Sequence, residues 1–174
     1  DMEKAKRWLH DKVRGTERTG VLITKESARF KPLGIHVLPS GDENAVHWFL
    51  EDKIDTRASN YLEDAATEIQ VQGLELDYTC LLWDADMRYE NGEWRYYKFN
   101  GKTAWIPEKN AETRKYMLNA YRVLLTRARQ GIVICVPEGN HRKNAEGFDE
   151  DPTRLPAFYD GTYEYLKSLG IVEL

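Results

Sequence analysis

Three arginines stand immediately ahead of an apolar run in "YRVLLTRARQGIVICVP", Tyr121 to Pro137: Arg122, Arg127 and Arg129. Guanidinium groups are planar and permanently charged, and on a rigid framework they suit phosphate recognition. The competing reading is structural, because basic residues in the last turn of a helix complement its dipole. On helical spacing Asn119, Arg122, Thr126 and Arg129 share one face, with Tyr121, Leu124 and Ala128 on the apolar side. Spacing alone puts the structural reading first. Location speaks against it, since the helix runs into a buried-looking strand and a dipole role suits only a solvated end.

Carboxylates and aromatics supply the other candidates. Glu75 and Asp77 are either functional carboxylates or solvated ones at a strand start. Asp84 and Asp86 follow "LLW", at the carboxyl end of an apolar strand where α/β proteins build sites. A metal pair and an ordinary acidic loop are both open there. Trp94, Tyr96, Tyr97 and Trp105 either stack bases or make the small core that a hairpin needs. Arg154, in "DPTR", has no mechanism attached to it. Cys80 and Cys135 each lie inside an apolar run and read as buried, reduced thiols of a cytoplasmic protein. His10, His36, His47 and His141 share no ligand spacing with one another or with either cysteine, so no metal site is assigned.

The 174 residues, 31% charged and 41% apolar, bound the frame that positions these groups. They describe one globular domain with a single core. No apolar run approaches the ~20 residues that span a bilayer, so no membrane partner is expected. A net charge of −4 does not advertise phosphate neutralisation as the main task, although a local basic groove is compatible with it. The first residue is Asp1 and no signal-peptide pattern follows, so the chain is expected to be an excised piece of a longer protein.

Element by element, "MEKAKRWLHDKVRG" predicts an amphipathic helix stopped by Gly15. "GVLITKESARFKPLGIHV" predicts a strand over 21–24 and a helix from about Ser27, the rhythm of a parallel sheet. Residues 39–60 read as an irregular surface connection with one buried anchor in "VHWFL". "TEIQV" reads as a strand interrupted by Gly73, and "YTCLLW" as a strand buried on both faces. The dipeptide "NG" at 91–92 and again at 100–101 predicts a hairpin inserted over about 88–107. "NAETRKYMLNAYRVLLTRAR" predicts a long helix with Met117, Tyr121, Leu124 and Ala128 inward. "GIVICVP" follows as a buried strand, and a closing helix runs roughly from Leu155 to Leu169.

With these elements in order, "LLTRAR" ahead of an apolar strand resembles motif VI of superfamily 1 helicases, and "TEIQVQGLEL" resembles their motif V. Thr67, Gln72, Gly73, Leu74 and Glu75 match the motif V pattern, while Ile69 stands where a histidine is usual. Thr126, Arg127 and Ala128 match motif VI. Together with "DPTRLPAFYDGTYEYL", these stretches make a chain similar, from about Lys4 to Ile171, to the Schlafen group-three-like DNA/RNA helicase domains.

The resemblance implies a three-layer RecA-like α/β domain over 1–174, with a mainly parallel sheet and the inserted hairpin. It implies that ATP and Mg²⁺ are shared with a missing N-terminal RecA-like domain. That partner supplies the phosphate loop and the magnesium ligands. Arg127 is then the arginine finger, a device worth ~10³–10⁵ in rate. Glu75 accepts a hydrogen bond from the ribose, and Gln72 and Gly73 couple the nucleotide cleft to the DNA or RNA track. Thr67 and Gln70 lie toward that track.

No G-x-x-x-x-G-K-[ST] occurs in the chain, so it carries no loop to cradle the phosphates of ATP. The expectation is half of an ATPase, inactive alone, from a helicase or translocase. The alternatives are a non-catalytic nucleic-acid-binding module and a regulatory ATPase that moves no strand.

Overall fold

Strand β1, Thr19–Ile23, is buried at every position, and β4, Leu76–Leu82, is buried at all but Tyr78. Such runs need apolar cover on both faces, and the computed structural model supplies it. It describes all residues except 28, 32–33, 40, 52–53 and 102–103, and all described side chains except that of residue 42. Three further strands complete a parallel five-stranded sheet: β2, His36–Val37, β3, Asp64–Thr67, and β8, Ala128–Cys135. Their order is β2-β3-β1-β4-β8.

Alternation along the strands sorts the core into two layers. Val21, Ile23, Cys80 and Leu82 point to the side covered by α1, Met2–Lys12, through Ala5 and Leu9. Leu22 and Leu81 point to the other side, and so does Leu76, out of alternation at the register shift between Leu76 and Tyr78. There they meet Trp48 of α2, Asp42–Leu50, and Tyr121 and Leu124 of α3, Ala111–Leu125. Helix, sheet, helix is the RecA-like three-layer arrangement. Trp48 lies directly over Gly20: a Cβ at that position would stand 2.6 Å from the indole.

Both NG dipeptides turn the chain as expected, with Asn91 and Gly92 at positive φ. They connect β5, Met87–Glu90, β6, Glu93–Asn100, and β7, Ala104–Pro107, into an antiparallel three-stranded sheet. Trp83, at the end of β4, anchors this insertion. Its ring stacks on Tyr121 at 4.2 Å and on Trp94 at 5.4 Å. The closing helix α4, Asp160–Ser168, adds Tyr165 against Tyr89 and Trp94.

Several expectations give way. The helix from about Ser27 is not formed among the described residues. Ser27 instead joins its hydroxyl to that of Thr24, and Arg29 donates its N–H to Asp84. The stretch expected to be irregular, 39–60, contains α2, although its buried anchor, Trp48, is as expected. "TEIQV" is not a strand: β3 ends at Thr67 and residues 68–73 turn. "GIVICV" is an edge strand, mostly half-buried.

The long helix stops at Leu125, with Asn110 capping its start by accepting from the Glu112 and Thr113 N–H groups. At its end the Thr126 hydroxyl turns back to the Arg122 and Val123 carbonyls. Of the three arginines, then, only Arg122 is helical. Arg127 lies in the connection and Arg129 in β8, so Ala128 and Arg129 are not part of the helix faces expected for them.

Candidate functional site

Because β4 and β8 run parallel, with Leu76 opposite Ala128, the residues just before each strand meet at one end of the sheet. Those residues are Glu75 and Arg127. The Leu76 N–H donates to the Arg127 carbonyl at 3.0 Å. The Arg127 side chain turns the other way, with Nη1 donating to the Leu74 carbonyl at 3.1 Å and Nε to Val123 at 3.1 Å. Arg127 therefore closes the end of α3 and pins both neighbours of Glu75. Its Nη2 and the exposed Glu75 carboxylate make no hydrogen bond among the described residues.

Arg129 is placed differently. It forms an ion pair with Asp77 at 2.7 Å, and Asp77 also accepts from the Arg18 N–H and from Gln130. Burial works against ionising Asp77, but the hydrogen bonds from Arg18, Gln130 and Arg129 hold its carboxyl below the usual range. Asp77 is thus a structural tie, and Arg129 belongs to it.

Thr67 and Gln70 stand at the opposite end. Ile23, the last residue of β1, pairs with Thr67, whereas its first, Thr19, pairs with Tyr78, two residues beyond the start of β4. At ~3.3 Å per residue the two ends lie roughly 20 Å apart. Residues 68–75 make that traverse, and Gln72 and Gly73 lie on it, both exposed. Gly73 turns at φ +81°, which favours glycine. Gln70 faces inward: its Oε1 accepts from the Thr67 N–H and hydroxyl, and its Nε2 donates to the Leu38 and Pro39 carbonyls.

Sequence reasoning missed a buried polar network at this same carboxyl end. Asp84 and Asp86 are not a solvated acidic loop; both are fully buried. Asp86 accepts from Tyr121 at 2.6 Å and Thr24 at 2.7 Å. Asp84 accepts from the Ala85 and Arg29 N–H groups and from Tyr159. Burial and the Asp84 charge push the Asp86 carboxyl up to about 7, and burial also raises that of Asp84. The only signal in the sequence is two aspartates beside "LLW", which resembles an ordinary loop. Among the described residues no group of three or more His, Cys, Asp or Glu side chains is arranged to hold a metal ion. Cys80 and Cys135 are free and buried.

The hairpin aromatics are engaged in packing. Trp94 contacts Trp83, Tyr89 and Tyr165. Tyr97 and Trp105 lie against the Arg88 guanidinium, and the Trp105 N–H donates to the Thr153 carbonyl.

Comparison with known proteins settles the ancestry of this arrangement. Residues 1–138 match the family model described as Schlafen group 3, DNA/RNA helicase domain. The chain belongs to that family. No curated protein and no solved structure matches it. In this Schlafen group 3 chain the match takes in both Glu75 and Arg127 and ends at Glu138, so "DPTRLPAFYDGTYEYL" lies beyond it. That later segment nonetheless packs into the domain through Tyr159 and Tyr165. No helix among the described residues is long and apolar enough to cross a membrane.

Proposed function

We propose that this chain is the second motor domain of an ATP-dependent DNA or RNA helicase or translocase of the cytoplasm. It works with a preceding RecA-like domain across a shared nucleotide site. One observation carries the reading: Arg127 and Glu75 stand side by side before paired strands, each with an uncommitted polar group. That pair suits a nucleotide. A carboxylate accepts from ribose hydroxyls, and a guanidinium donates to phosphate oxygens.

ATP, when bound, supplies the phosphoryl group whose transfer drives the motor, with its phosphate loop and Mg²⁺ ligands on the preceding domain. Arg127 offsets the charge that develops on that group. Its bonds to the Val123 and Leu74 carbonyls aim it, leaving Nη2 for the cleft. Gln72 and Gly73, on the traverse between the two ends, transmit displacement from Glu75 toward Thr67. Gln70 holds Thr67 in place for the DNA or RNA strand.

A second reading, a nucleic-acid-binding module without a motor, is favoured by one observation: both hydrogen bonds of the Arg127 side chain go inward to main-chain carbonyls. Hydrolysis of ATP by a protein carrying both domains, lost on Arg127→Ala, supports the motor. Absence of hydrolysis in that protein supports the module, and hydrolysis unchanged by Arg127→Ala removes Arg127 as the finger.

A further inference from the structure

Beyond the carboxyl ends of β4 and β8, where Leu82 and Cys135 form part of the wall, lies a cleft of about 700 Å³. None of the residues assigned to the motor lines it. Three arginines do: Arg29 from the turn after β1, and Arg142 and Arg154 from the segment between β8 and α4. Parallel sheets place their ligands at this end of the strands.

Arg29 and Arg154 share a single carboxylate. Arg29 Nη2 and Arg154 Nε both donate to Asp151 Oδ2 at 2.9 Å, and the three side chains are only 20%, 17% and 19% exposed. Burial opposes ionisation of Asp151. The Thr153 hydroxyl, Arg154 and the Thr153 N–H nevertheless hold its carboxyl down at about 2, so it stays charged. One negative charge thus faces two positive ones in a half-buried setting. Arg29 Nε is buried with no hydrogen-bond partner among the described residues, and the Arg29 guanidinium is held over the Phe99 ring at 5.2 Å. Arg142 is exposed, and its guanidinium makes no hydrogen bond among the described residues.

We propose that this cleft binds a phosphate monoester, either the terminal phosphate of a nucleic-acid strand or that of a small phosphorylated molecule. Such a group carries ≈ −1.5 to −2 charges and strong acceptor oxygens, which answers the Arg142 guanidinium and the two arginines that share the single Asp151 carboxylate. Asp1, Glu138 and Glu150 stand exposed among the lining residues and equal the three arginines in number. They disfavour an extended polyanion lying across the opening and favour one compact anion between the arginines.

The test is a ¹⁵N NMR titration of the chain with inorganic phosphate at constant ionic strength. It follows the Arg29 Nε resonance and the amides of Asn140 and Arg154. Saturable shifts are expected, with affinity at least tenfold weaker in Arg29→Gln and Arg154→Gln. Arg95→Gln, whose guanidinium pairs with Glu93 on the hairpin, leaves it unchanged. Arg154→Lys keeps the charge without the fork and covers the case in which a glutamine variant fails to fold; several-fold weakening is expected there. Single strands with and without a 5′-phosphate assign the source. Shifts specific to the phosphorylated strand point to strand ends, and shifts with free phosphate alone point to a small molecule. Absence of saturable shifts, or shifts that persist in both glutamine variants, overturns the proposal. If the Thr67 amide responds to strands while the cleft stays silent to every phosphate probe, the cleft fails and the strand-facing reading survives.

Discussion

Arg127 holds Leu74 from one side and Leu76 from the other: its guanidinium donates to the Leu74 carbonyl at 3.1 Å, and its own carbonyl accepts from the Leu76 N–H at 3.0 Å. The residue between them, Glu75, is fixed in backbone while its carboxylate stays exposed. One arginine thus joins the end of α3, the traverse after β3 and the first pairing of β4 with β8. Any displacement of Arg127 must be felt at Glu75.

Gly20→Ala tests the packing that seats α2. A methyl group would stand 2.6 Å from the Trp48 ring and 3.0 Å from Leu76 Cδ1. Overpacking of this kind costs ~1–3 kcal/mol, read as a lower urea midpoint with unchanged slope. An unchanged midpoint means that Trp48 is free to move away.

Asp86→Asn tests the buried network through pH. Burial and the neighbouring Asp84 charge hold the folded carboxyl at about 7, well above the ordinary aspartate value of 3.8. The folded state therefore holds a proton that the unfolded state has released, and stability falls as pH rises from about 4 through about 7. The carboxylates held low, such as Asp151 at about 2, have finished their contribution below that window. Melting temperature is expected to fall between pH 5 and pH 8 in the wild type and to change much less in Asp86→Asn. Parallel curves for the two proteins would remove Asp86 as the cause.

Gln70→Ala tests whether Gln70 positions Thr67. It strands the Leu38 and Pro39 carbonyls and frees the Thr67 N–H and hydroxyl. A cost of ~1–3 kcal/mol is expected, with faster hydrogen exchange at the Thr67 amide. Unaltered exchange there would show that the side chain is dispensable to the turn.

What was legible in the sequence was what neighbours along the chain decide. The unbroken apolar run of β4, the spacing of Met117, Tyr121 and Leu124, and the two NG turns each specify their element locally. Distant partners decided the rest. Asp86 and Asp84 are buried because hydroxyls 35 and 75 residues away, on Tyr121 and Tyr159, reach them. The helix expected from Ser27 gives way to contacts with Thr24 and Asp84. Helix α3 ends at Leu125 because Thr126 and Arg127 satisfy its last carbonyls, and spacing alone carries that periodicity on to Ala128. At the candidate site, the resemblance named Glu75 and Arg127. That Gln70 faces inward, and that Arg129 serves Asp77, required coordinates.

The most direct measurement of the motor reading is steady-state, nucleic-acid-stimulated ATP hydrolysis by the two-domain protein, comparing Arg127→Ala, Arg127→Lys and Arg129→Ala, each with a thermal melt. An arginine finger acts in the transition state, so its loss shows in turnover more than in nucleotide binding. Arg127→Ala is expected to lower turnover by ~10³-fold or more, and lysine, lacking the guanidinium fork, to restore little. Arg129→Ala removes one partner of the buried Asp77 carboxylate, an effect of ~1–3 kcal/mol visible in the melt, with turnover nearly intact. Equal losses of turnover at the two positions, or a fall in melting temperature that accounts for the whole effect of Arg127→Ala, would contradict the account.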